Sequence, residues 1–259
     1  MSHDPSAAVP TITPPAGVPA PWGLLGTIAW GALGVCAWFA VQFAVIIVSL
    51  LWRDTAAPGR VDMHRLANDG FLLAFVTIVA APAWIGVSVL AAHWRNWRAR
   101  DYLALVPPRR GEIAFGIACL VALLIGFDLL TLLVGRDVVP GFMVEAYSSA
   151  RAGGSLVLFF LAVVIVAPIS EEIAFRGFLF RGFSASWLGV AGTLIATAAA
   201  WTSMHVQYDA FTLAQIFCIG LLLGWIRWAS GSTLLTILLH MLANFVACVQ
   251  AAIKIEWMA

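Results

Sequence analysis

Residues 24–52 contain no charged side chain, and further long apolar runs occupy 71–94, 113–134, 155–182, 190–206, 211–228 and 232–252. A helix of about 20 apolar residues crosses a hydrocarbon core of roughly 30 Å. The runs are continuous, not alternating, and a backbone in lipid must satisfy its own hydrogen bonds, so they predict helices. Composition agrees. The chain is 62% hydrophobic and 10% charged, where a soluble domain carries about 25% charged residues. That is too little polar surface to cover a water-soluble globule. The expected fold is all-α: a polytopic transmembrane helix bundle of about seven spans over residues 22–259. The fifth and sixth runs are short and closely spaced, which leaves eight spans or a merged pair as alternatives. Gly220 and Gly224, four apart, would let two helices approach closely.

Outside the runs the chain offers less. Residues 1–21 hold six of the twelve prolines and no Lys or Arg, the composition of a disordered leader. They lack the basic start of a signal peptide. A net charge of +1 provides no basic face for nucleic acid. Cys36, Cys119, Cys218 and Cys248 all sit in apolar runs at spacings that match no zinc or disulfide framework, so they read as core-packing thiols. Lys254 is the sole lysine. With the high alanine content it points to a GC-rich bacterial gene, hence the bacterial inner (plasma) membrane. The loop 95–112 carries Arg95, Arg98, Arg100, Arg109 and Arg110. With seven spans, the turns near Arg181 and Arg227 share its side. That side holds seven basic residues against six (Arg53, Arg60, Arg65, Arg136, Arg151 and Lys254). Basic loops favour the cytoplasm, and the dense loop assigns its own side there. Arg181 reads as an interfacial anchor.

Ionisable groups inside hydrocarbon cost about 2.5–3.5 kcal/mol each on insertion scales and usually mark function. Here they are Asp128, Glu171, Glu172, Arg176, His205 and His240, with Asn244 as a polar companion. In "EEIAFR", Glu172 and Arg176 are four apart and can pair on one helix face. Glu171 is turned about 100° away and is free to face something else. "HMLAN" puts His240 and Asn244 four apart on one face. His205 ends the fifth span. A rise of about 1.5 Å per residue puts Glu171, His205, His240 and Asn244 within about 10 Å of a common depth. Asp128 fits none of these patterns and reads as a buried polar contact.

Such a cluster contains the parts for hydrolysis without a covalent intermediate. A glutamate and a histidine that share a buried water can deprotonate it. A second histidine and an asparagine amide can donate to the oxyanion that develops. Neither Ser170 nor Ser203 has a convincing base beside it. A zinc site ligated by Glu171, His205 and His240 is the alternative, although no H-E-x-x-H helix is present.

The order "EEIAFR", then an aromatic-x-x-x-His, then His-x-x-x-Asn, over residues 155–252, resembles the CAAX prenyl endopeptidase and bacteriocin-processing (Abi) family of glutamate-dependent intramembrane proteases. The resemblance implies Glu171 as base, His205 as its helper in activating water, and His240 and Asn244 as oxyanion stabilisers. Glu172 and Arg176 match the supporting pair. It implies no cofactor, with zinc as the alternative. The implied substrate is a hydrophobic or lipidated peptide met among membrane lipids. One departure is visible: Trp201 stands where the family usually has phenylalanine. The competing expectations are a non-catalytic binding or immunity scaffold of the same fold, and a proton-coupled transporter. The absence of a second E-E-x-x-x-R segment lowers the latter.

Overall fold

A computed structural model describes residues 19–56 and 66–258. Among these residues every regular element is a helix. In chain order they are α1 (Leu24–Ala56), α2 (Gly70–Trp94), α3 (Ala99–Tyr102), α4 (Arg110–Leu133) and α5 (Gly141–Ala152). There follow α6 (Leu156–Ser184), α7 (Gly189–Thr202), α8 (Ala210–Ser230) and α9 (Thr233–Trp257). Six of them, α1, α2, α4, α6, α8 and α9, are long and apolar enough to cross a membrane. The protein is a multi-pass membrane protein. The seventh apolar helix, α7, has 14 residues, about 21 Å of rise, and stops short of a full crossing. The seven apolar helices match the expected bundle. The four-residue α3 and the amphipathic α5 were not expected from the sequence.

Helix ends in lipid need partners for their free amides, and the sequence supplies them. Asp69 Oδ1 accepts from the Phe71 and Leu72 amides, Asp209 Oδ1 from Thr212, and Ser232 Oγ from Leu235. Gly231, at φ +70°, ends α8 in the left-handed conformation that costs glycine least. Gly220 and Gly224 serve as expected. A Cβ on Gly220 would lie 3.1 Å from that of Ala198, and one on Gly224 would lie 3.0 Å from Leu194, so α7 and α8 touch because the side chains are missing.

The arginine-rich loop is a plug at one end of the bundle. Tyr102 is fully buried, and burial pushes its phenol up to about 12. The loop's carbonyls are taken by the helix ends beneath: Leu103 by Thr233 Oγ1 at 2.7 Å, Val106 by Ser232 Oγ at 2.6 Å, and Asp101 and Tyr102 by Arg181 at 2.6 and 2.9 Å. The loop therefore shares its end with the turns after α6 and α8, as expected. Arg181 is no interfacial anchor: it is 5% exposed and ties the loop to α6. Arg227 is equally buried, its Nε donating to the Arg176 carbonyl at 2.9 Å. Both side chains are therefore part of the bundle's packing and not loop charges facing water.

The opposite end is held by ion pairs: Lys254 with Asp137 at 3.1 Å, Arg151 with Glu256 at 2.5 Å, and Arg136 with Asp209. There α5 packs Met143, Ala146, Tyr147 and Ala150 against Ala74 of α2 and Cys248 and Ala251 of α9. Of the four free cysteines Cys248 alone is fully buried; Cys36 and Cys218 are exposed on the bundle's exterior, which corrects the core-packing expectation. The expected leader falls mostly on residues 1–18, outside the described residues. The carbonyl of Pro19 accepts from Trp97 Nε1 at 2.9 Å.

Candidate active site

Helix α6 leaves α geometry twice, with π-helical turns at Leu161–Val166 and Ile173–Leu179. Such turns are rare and frequent at functional sites. Pro168 explains what the first one leaves behind. In the π register the Ala167 amide bonds to the Ala162 carbonyl, five residues back. The next bond would run from residue 168 to Val163, but proline has no N–H. The stranded Val163 carbonyl takes Asn244 Nδ2 of α9 instead, at 2.8 Å.

Between the two π turns lies the acid pair. Glu172 is completely buried and accepts from Arg176 Nη1 at 2.7 Å. Arg176 Nη2 reaches the Gly220 carbonyl at 3.1 Å, and its guanidinium lies 4.8 Å from the Trp201 ring centroid. The same Glu172 oxygen lies 3.0 Å from His240 Nδ1. A carboxylate held by arginine only accepts, so Nδ1 carries the hydrogen and Nε2 is turned to Glu171, 4.0 Å from Oε2. Glu172 therefore orients His240 as well as pairing with Arg176, a link that sequence spacing did not suggest.

Glu171 faces a cavity of about 270 Å³ that is also lined by His205, His240, Asn244 and Trp201. All four expected site residues are thus brought together, from α6, the turn after α7, and α9. His205 sits three residues beyond the end of α7, not within it as expected. Its Nδ1 lies 2.9 Å from the Trp201 carbonyl, which can only accept, leaving Nε2 of the neutral ring as an acceptor. Ser170 and Ser203 spend their hydroxyls on the carbonyls of Ala167 and Ala200, at 3.0 and 2.7 Å.

Residues 153–246, which hold this whole constellation, match the family described as type II CAAX prenyl endopeptidase Rce1-like. The segment is similar to that family. An uncharacterized 24.3 kDa protein of Escherichia coli is 35% identical over 106 residues, 40% of this chain and 48% of that protein. The chain thus matches about half the length of this relative. No solved structure matches the chain significantly.

Within the Rce1-like segment the departure at Trp201 has a consequence. Trp201 is 3% exposed, and its Nε1 donates to Glu171 Oε2 at 2.6 Å. Its ring packs edge-on against both imidazoles, with centroids 4.9 and 5.1 Å away. A phenylalanine could pack there but could not donate. Sequence reading registered the aromatic but not the bond; the signal was there, since a buried indole N–H usually finds a partner. Among the described residues no three His, Cys, Asp or Glu side chains come together as a metal site. Trp201 holds the Glu171 oxygen nearest His240, while Glu172 and the Trp201 carbonyl each take Nδ1 of one histidine and leave Nε2 of both rings free of those bonds.

Proposed function

We propose that this is an intramembrane endopeptidase that hydrolyses a peptide bond in a hydrophobic or lipidated peptide, in a bacterial inner membrane. The observation that carries it is the convergence of Glu171, His205, His240 and Asn244 on one cavity within the Rce1-like segment. Glu171 takes a proton from water, with the free Nε2 of His205 as the second acceptor. The hydroxide adds to the scissile carbonyl. His240 Nε2 and the second N–H of Asn244 donate to the oxyanion. Since Glu172 holds Nδ1–H, His240 acts this way when both ring nitrogens carry hydrogen. Collapse of the tetrahedral adduct passes the proton from Glu171 to the leaving amine.

The test is purified protein in proteoliposomes with quenched-fluorescent hydrophobic peptides, plain and prenylated, and products read by mass spectrometry. Cleavage that vanishes in Glu171→Gln supports the proposal. No cleavage by the wild-type protein removes it and leaves the binding scaffold.

Two further outcomes are expected. Activity survives strong chelation, with no stoichiometric zinc in the purified protein by elemental analysis; loss on chelation that zinc restores would return Glu171, His205 and His240 to the role of ligands. Trp201→Phe keeps the fold and KM but lowers kcat by about tenfold, since a hydrogen bond to a charged group is worth about 1.5–3 kcal/mol and only its orienting share reaches the transition state. An unchanged kcat would reduce Trp201 to packing.

A further inference from the structure

The cavity has a second polar wall that the proposed chemistry does not use. Asp128, in the second-last turn of α4, lines it together with Gln250 of α9 and Gln215 of α8. Gln250 Nε2 donates to Asp128 Oδ2 at 2.8 Å. Gln215 Nε2 is bonded to Thr131 Oγ1, one turn along α4, at 2.9 Å. Among the described residues no arginine or lysine pairs with Asp128. Lys254, one turn beyond Gln250, is held by Asp137 at 3.1 Å. A carboxylate among apolar helices, bonded to a neutral amide and open to a cavity, is an uncompensated acceptor of the kind that marks an intramembrane binding site.

Helix α9 connects this wall to the reaction centre. His240, Ala243, Asn244, Ala247 and Gln250 all face the cavity, a continuous stripe at helical spacing. Ten residues separate His240 from Gln250, about 15 Å of rise. An extended peptide advances about 3.3 Å per residue, so that distance is four to five residues, fewer if a long side chain reaches along the groove.

We propose that Asp128, steadied by Gln250, is a specificity subsite for a cationic group carried by the peptide about two to five residues from the scissile bond. The group is a lysine or arginine side chain, or the peptide's own amino terminus. The inference rests on the proposed peptide chemistry for its purpose, but binding tests it separately.

The experiment uses the full-length Glu171→Gln protein in lipid nanodiscs, so that nothing is cleaved, and a fluorescein-labelled hydrophobic peptide. One series moves a single lysine along the peptide; matched series carry norleucine or glutamate at the same positions. A last pair differs in a free or acetylated amino terminus, with the label at the C-terminus. The lysine or free-amine peptide is expected to bind at least about tenfold more tightly than its neutral match, the range of one charge-assisted contact. Asp128→Asn should abolish that preference while leaving the neutral peptide's affinity unchanged. A position-dependent lysine effect identifies the side chain as the group bound, and an effect of acetylation alone identifies the terminus. Equal binding of all three series with no effect of acetylation, or a preference that survives in Asp128→Asn, overturns the subsite. Gln250→Leu guards against misfolding: it keeps the carboxylate but frees it, and should weaken the preference without abolishing it. Cleavage by the wild-type protein is scored separately, so a failed protease reading and a failed subsite give different results.

Discussion

Glu171→Gln is expected to lower kcat by about 10³, within the 10²–10⁴ that a positioned base contributes, with no loss of the folded protein. Glutamine has nearly the shape of the glutamate. Its amide oxygen can still accept from Trp201 Nε1, and Glu171 is not one of the fully buried groups, its side chain being 23% exposed to the cavity. What disappears is the capacity to take a proton from water. Single-turnover cleavage of a hydrophobic peptide measures the loss, and thermal unfolding in the same detergent checks the fold. A kcat within threefold of wild type would transfer the role of base to His205.

The second large effect concerns stability. Arg176→Met should destabilise the protein by about 3–5 kcal/mol, the cost of removing one partner of a buried ion pair. Glu172 and Arg176 are both wholly inaccessible, so Glu172 would keep its charge with His240 as its remaining charged or chargeable contact. Replacing both partners, Glu172→Leu with Arg176→Met, should recover most of the stability, because an apolar pair of similar size is often neutral or better. Activity should not recover. His240 would have lost the acceptor that holds its Nδ1–H, and the ring that points Nε2 at the cavity would be free to turn. Denaturation midpoints and kcat measured on the same three variants separate the two roles. A double variant that is both stable and active would show that Glu172 merely balances Arg176.

Much of this arrangement could be read in advance because the solvent is lipid. Uninterrupted apolar runs had to be helices, and the few ionisable groups within them had to have partners. The four-residue spacings of Glu172 with Arg176 and of His240 with Asn244 lie within single helices, so the ion pair and the shared face followed from helical geometry. Arg181 failed for the converse reason. Its position near the end of a run suggests the interface, but its burial depends on the loop 95–108 folding back over the helix ends, a contact between segments about 80 residues apart. The termination of α7 before His205 was equally illegible, since no glycine or proline follows Thr202 to mark a stop before Gly220. Asp128 illustrates both limits: its rarity in a span was visible, while the cavity it faces exists only through the arrangement of α4, α8 and α9.

By itself the sequence determined the helical bundle, the short inventory of buried polar groups, and the pairing of Glu172 with Arg176, because each follows from one helix and the cost of polarity in hydrocarbon. Only the tertiary structure decided that Trp201 donates to Glu171, that Glu172 orients His240, and that Asn244 meets the carbonyl stranded by Pro168. Those contacts join residues 30 to 81 positions apart. Their geometry is set by where whole helices pack, which no local spacing encodes.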